Sequence, residues 1–137
     1  MDKSVRVFVV EDSAELRERI VGDIASLDHL DVVGWAESEN HAVEAIEELS
    51  PDVVVTDLGL KEGSGVSLVR QVRAKRPAPP PRIVVLTNRA TPEYRARCLQ
   101  YGADAFFDKT SEYDDFLAVM REASRDRHQT SKGNGAE

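Results

Sequence analysis

The chain has 137 residues, 41% of them hydrophobic and 31% charged, and carries a formal net charge of −7. That is enough for one globular domain with a real core, and the negative balance argues against nucleic acid or an anionic membrane as the main partner. A single cysteine, Cys98, excludes an intramolecular disulfide and argues against a Cys-rich zinc site.

No charged-then-apolar segment opens the chain, and no apolar run approaches the roughly 20 residues of a membrane span, so a cytoplasmic location is expected. The first apolar run, Val5-Arg6-Val7-Phe8-Val9-Val10, reads as a strand that hands over to Glu11-Asp12. Ser13 then caps a helix on which Leu16, Ile20, Ile24 and Leu27 recur at helical spacing. Residues 31–36 give a short second strand, and Ser38 caps a second helix stopped by Pro51. Val53-Val54-Val55-Thr56 is a strand apolar enough to be covered on both faces, and it ends on Asp57.

A glycine-rich loop over 59–65 leads to a third helix marked by Val66, Leu68, Val69 and Val72. Pro77-Ala78-Pro79-Pro80-Pro81 is a stiff connector. Residues 82–87 form a fourth strand that is apolar until Thr87. Thr91-Pro92-Glu93 starts a fourth helix with an N-cap, a proline at the first helical position and an acid favoured by the helix dipole; Gly102 closes it. Residues 104–109 are a fifth strand, and Ser111 caps a last helix carrying Phe116, Leu117, Met120 and Ala123. The boundaries expected are a domain over 1–124 and a flexible polar tail over 125–137.

Five strands alternating with five helices predict an α/β fold with a parallel sheet. All strand ends of one kind then lie on one edge, where such sheets bind ligands. Glu11, Asp12, Asp57, Thr87 and Lys109 would meet there. Two carboxylates about 4 Å apart repel by about 4 kcal/mol at an effective dielectric of about 20. Three together need raised pKa values or a counter-charge. Oxygen-only ligands without His or Cys point to Mg²⁺, which keeps positions open for phosphate oxygens. The site therefore reads as one that brings a phosphoryl group to the carboxylate of Asp57, with Lys109 and Thr87 as donors to its oxygens. His29, His41 and His128 have no ligand spacing and read as surface residues.

On those residues, from 5 to 123, the chain resembles the receiver domain of two-component response regulators. The stretches Asp57-Leu58-Gly59-Leu60 with Gly65, and Tyr101-Gly102-Ala103-Asp104-Ala105-Phe106, are similar to the family as well. The resemblance implies a flavodoxin-like, doubly wound sheet of order 2-1-3-4-5. It implies that Asp57 accepts a phosphoryl group from a histidine kinase or phosphotransfer protein, and that Glu11, Asp12, Asp57 and the Gly59 carbonyl hold Mg²⁺. Lys109 would pair with the acyl phosphate. Thr87 and Phe106 would switch the face formed by the fourth helix, fifth strand and fifth helix, whose downstream protein partner is unknown.

Four departures from the pattern matter. Thr110 follows Lys109 where many receivers have proline, so a cis peptide is not expected there; Lys61 also stands where a proline is common. Phe106 lacks a phenol hydroxyl, which leaves any switch to packing. Gly59 and Arg89 occupy the positions at which the family tunes dephosphorylation. Homodimerisation on phosphorylation stays open.

The function expected is a stand-alone signalling phosphoacceptor that is not an enzyme, without direct nucleic-acid or membrane binding. An aspartyl-phosphate phosphohydrolase would want a second acid where Gly59 stands. A flavin carrier would not put Glu11 and Asp12 after its first strand. A receiver-like scaffold that is never phosphorylated is the remaining alternative.

Overall fold

The computed structural model describes residues 4–136, with side chains as far as Arg125. In chain order the elements are β1 (Val5–Val10), α1 (Ala14–Ala25), β2 (Leu30–Ala36), α2 (Glu39–Leu49), β3 (Val53–Thr56), α3 (Gly65–Ala74), β4 (Arg82–Thr87), α4 (Pro92–Tyr101), β5 (Ala105–Asp108) and α5 (Tyr113–Ala136). The five strands form one parallel sheet in the order β2-β1-β3-β4-β5, the flavodoxin-like order expected.

Alternation along the strands divides the core. Val7, Val9, Val53, Val55, Val84 and Leu86 face one side, where Ile20, Ile24, Phe116 and Met120 of α1 and α5 cover them. Phe8, Val10, Val54, Ile83 and Val85 face the other, under Ala42, Ile46, Leu68, Val72 and Cys98 of α2, α3 and α4. The period-2 backbone sends neighbouring residues to opposite faces, and both faces are apolar, so the strands read as unbroken hydrophobic runs. Phe116 and Met120 are fully buried, and truncating a side chain so placed costs about 3–5 kcal/mol.

The register of β1 against β2 slips between Val7 and Phe8, so Val33 is skipped and Phe8 pairs with Gly34. A Cβ at Gly34 would come within 3.0 Å of the Phe8 ring, so the glycine makes room for that side chain.

The helix starts follow side-chain chemistry. Ser13, Ser64 and Thr91 each accept a hydrogen bond from the backbone amide three residues on, and Pro92 opens α4. Ser38 stands at the N-cap of α2 without such a bond; instead the Glu39 amide donates to the Glu62 carbonyl. Ser111 does not cap α5. Asp108 Oδ1 accepts from the amides of Thr110 and Ser111, which turns the chain before the helix begins at Tyr113.

Helix α5 runs to Ala136, so the backbone is helical over residues 125–136 of the stretch expected as a polar tail; no proline interrupts it. The described cis peptide is Ala78–Pro79, in the proline-rich connector, and the Lys109–Thr110 bond is not cis, as expected. No helix among the described residues is long and apolar enough to cross a membrane.

Candidate functional site

Three strands deliver their carboxyl ends to one crevice. The Asp57 amide donates to the Val10 carbonyl, which ties the end of β3 to the end of β1. The Lys109 amide donates to the Thr87 carbonyl, which ties β5 to β4. The side chains that meet there are Glu11 and Asp12 from β1, Asp57 from β3 and Lys109 from β5.

Lys109 Nζ lies 2.6 Å from Glu11 Oε1 and 2.7 Å from Asp57 Oδ2. Glu11 is buried, Asp57 nearly so, and Asp12 is exposed at the mouth. The remaining Glu11 oxygen accepts from the Ser13 amide at 3.1 Å, and Asp57 Oδ1 accepts from the Leu58 amide at 2.6 Å. One ligand oxygen each of Glu11, Asp12 and Asp57 lies within 4.8 Å of the others.

Burial pushes the Glu11 carboxyl above the usual carboxylate range, and the hydrogen bonds from Lys109 and the Ser13 amide offset this only in part. Burial works to lower Lys109, but its bonds to Asp57 and Glu11 outweigh that and hold the ammonium above the ordinary lysine value. The asymmetry is stoichiometric: one ammonium serves two carboxylates. Against three carboxylates and one ammonium, a divalent cation would bring the local charge to zero. An all-oxygen donor set of this spacing fits a hard ion.

The loop that carries Asp57 is held by a close approach. The Gly65 amide donates to the Leu58 carbonyl, and a Cβ on Gly65 would fall 2.0 Å from the Asp57 carbonyl oxygen. Only glycine fits there.

Thr87 is fully buried at the end of β4, and its Oγ1 accepts from the Arg89 amide at 3.0 Å. The Arg89 guanidinium lies over Gly59, so that a Cβ there would stand 3.3 Å from Nε and Nη2. Phe106 is buried under α4, with the Arg95 guanidinium 5.7 Å from its ring centre. Cys98 is a buried thiol whose pKa burial pushes up, which makes it inert packing. His29 and His41 are exposed, and the side chain of His128 lies outside the described residues.

Sequence reasoning missed Arg17. This buried residue of α1 donates from Nη1 to the Glu11 carbonyl at 3.0 Å and stacks over Trp35, 3.8 Å from the ring centre. It also comes within 3.7 Å of Glu37. The only local sign was its position one turn after the Ser13 cap. Glu39 was missed too: its carboxylate accepts from the Ser64 amide, the Ser67 hydroxyl and the Gln71 amide, pinning α2 to the start of α3.

A doubly wound parallel sheet with an acidic carboxyl-end crevice defines a class of phosphate- and metal-handling α/β domains. The sequence matches the response regulator receiver domain over residues 7–121, and the chain belongs to that family.

It is 31% identical over 132 residues to a protein-glutamate methylesterase/protein-glutamine glutaminase of Pyrococcus abyssi, covering 90% of this chain and 36% of that protein. It is 34% identical over 121 residues to the transcriptional regulatory protein PhoP of Escherichia coli, covering 88% of this chain and 52% of PhoP. Its backbone superposes on the signal receiver domain of NarL from Mycobacterium tuberculosis with a TM-score of 0.81 at 26% identity, covering 90% and 98% of the two chains. The chain thus spans between about a third and a half of the curated relatives it matches.

Proposed function

We propose that this receiver domain takes a phosphoryl group onto Asp57, in a Mg²⁺-dependent reaction, from a histidine kinase or a histidine phosphotransfer protein. The observation that carries the reading is the Lys109 ammonium bridging Glu11 and Asp57 at 2.6 and 2.7 Å beside the exposed Asp12 carboxylate.

In the transfer, a carboxylate oxygen of Asp57 attacks phosphorus. The bond from phosphorus to the donor nitrogen breaks, and an acyl phosphate forms on Asp57. A Mg²⁺ held by Glu11, Asp12, Asp57 and the Gly59 carbonyl would neutralise phosphoryl charge. Lys109 is already placed at the acceptor oxygen and would follow the charge onto the phosphoryl oxygens. The Leu58 amide orients the carboxylate from its other oxygen.

Thr87 would turn its hydroxyl from the Arg89 amide toward the phosphoryl group, and Phe106 would repack behind it. The surface of α4, β5 and α5 would then change its preference for a protein partner. Gly59 and Arg89 flank the same loop and would set how long the phosphoryl group survives. The reading makes the domain a signalling acceptor whose own chemistry is limited to self-phosphorylation and dephosphorylation, and it assigns it to the cytoplasm. It takes nothing from the esterase activity in the Pyrococcus relative's name, since the match covers 36% of that protein.

Incubation with Mg²⁺ and acetyl phosphate, followed by intact mass, tests it. One added phosphoryl group is expected on the wild type and none on Asp57→Asn or in EDTA. Equal labelling of Asp57→Asn would refute the assignment, and rapid turnover of many phosphate esters would favour a phosphohydrolase instead.

A further inference from the structure

A groove of about 350 Å³ lies between α3 and α4, beside the loop that carries Asp57 and reaching Leu58 and Arg89. Among its lining residues are Arg70, Arg89, Arg97, Tyr94, Tyr101 and Ser67. In a chain of net charge −7, three guanidinium groups in one groove need an explanation.

Several other basic side chains are already matched. Arg17, Arg19, Arg73, Lys75 and Lys109 each lie within 4.0 Å of a carboxylate, and Arg6 and Arg95 donate to backbone carbonyls. Among the described residues, Arg70, Arg89 and Arg97 have no carboxylate within 4.0 Å, as is true of other exposed cations such as Arg76 and Arg82, but these three line one groove. Arg70 rests over Tyr101, 5.4 Å from the ring centre, and Arg89 lies against Gly59, so two of the three are held at the groove walls.

Planar guanidinium forks match carboxylates two oxygens at a time, and tyrosines beside them supply both apolar contact and a hydroxyl. We infer that the α3–α4 groove docks an acidic peptide segment of a partner protein, whose carboxylates pair with Arg70, Arg89 and Arg97. A nucleic acid would offer anions too, but it would have to approach a chain of strongly negative net charge. The inference does not depend on phosphoryl transfer, and its test uses the unphosphorylated chain.

The probe is a short fluorescein-labelled peptide of alternating Glu and Ala, followed by fluorescence anisotropy against the full chain at low and high salt. Saturable binding that weakens with salt is expected. The double variant Arg70→Gln/Arg97→Gln should weaken it about tenfold, since two solvent-exposed ion pairs are lost together. Arg97→Glu, at an exposed residue whose side chain makes no hydrogen bond among the described residues, should weaken it further. Lys61→Gln, an exposed cation outside the groove, should leave affinity within about twofold. The inference is overturned if no saturable binding occurs, or if the Arg97→Glu and double variants bind as the wild type does. It is also overturned if a single-stranded oligothymidylate displaces the peptide at equal or lower concentration.

Discussion

The two ends of the sheet carry similar residues and treat them oppositely. At the amino end, Asp52 and Asp104 are matched where they stand. Asp52 accepts from the Arg6 amide at 2.9 Å while its own backbone links β1 and β4. Asp104 Oδ2 accepts from the Ile83 amide at 2.8 Å and pairs with Arg73 at 2.9 Å, and Arg73 also donates to the Gly102 and Pro81 carbonyls. At the carboxyl end, three carboxylates gather around one ammonium, which pairs with only two of them. The matched end stitches strands together. The unmatched end stores a demand for positive charge, which suits it to a divalent cation.

The largest effect that separates the ends is expected at Gly65. A Cβ there would collide with the Asp57 carbonyl oxygen at 2.0 Å, and backbone cannot step aside as a flexible side chain can. Gly65→Ala should destabilise the domain by about 3 kcal/mol in urea unfolding, the upper end for forced overpacking, and should abolish labelling by acetyl phosphate. Wild-type labelling in this variant would mean the loop tolerates displacement and does not position Asp57.

Next is the response to Mg²⁺. The ion should stabilise the wild type by about 1.4 kcal/mol at tenfold its Kd, by mass action, and Glu11→Gln should lose most of that gain. Without Mg²⁺ the sign reverses. The folded Glu11 pKa is raised by burial, so its contribution to stability is present below the ordinary value of about 4.3 and is lost as pH rises through the folded value. Glu11→Gln in EDTA should therefore be at least as stable as the wild type at neutral pH, measured by urea midpoint. A clear loss of stability would show that the Lys109 pair, not burial, governs this residue. At the matched end the expectation is the converse: Asp104→Ala should cost about 1 kcal/mol regardless of Mg²⁺, and leave phosphorylation unchanged.

What the sequence revealed follows the same division. Strand ends were legible because an apolar run that stops at a polar residue marks both the strand and its edge, as at Val10–Glu11, Thr56–Asp57 and Leu86–Thr87. The helix caps at Ser13 and Thr91 were legible because the bond spans three residues. Ser111 was misleading because Asp108, outside the helix, competes for its amide and the one before it.

Contacts over long separations left no trace in the pattern. Glu39 reads as an ordinary first-turn acid, yet its carboxylate secures the start of α3, 25 residues away in sequence. Arg89 over Gly59 is likewise invisible without the fold. At the end of α5, polar composition over 125–137 suggested a tail, and the helix reaches Ala136 within that stretch.

The smallest effect should be seen at the one tryptophan. Trp35 stacks on the Arg17 guanidinium, and that same group donates to the carbonyl of Glu11, so the ring is two contacts from the acidic crevice. Such a stack is worth about 0.5–1 kcal/mol, so Trp35→Phe should scarcely change the urea midpoint. Its emission should nonetheless report on the site. A cation drawing Glu11 and Asp12 together shifts the Glu11 carbonyl, and Arg17 must follow it or lose the bond. Titration with Mg²⁺ should change Trp35 fluorescence along the same curve as the thermal stabilisation. Arg17→Lys should uncouple the two, because a lysine cannot stack as a plane while donating from its edge. Asp104→Ala should leave the signal intact, since the side-chain contacts of Asp104 run to Arg73 and Ile83, not to Arg17 or Trp35. A fluorescence change that survives Arg17→Lys would break this chain of contacts and place the reporter's sensitivity elsewhere in the domain.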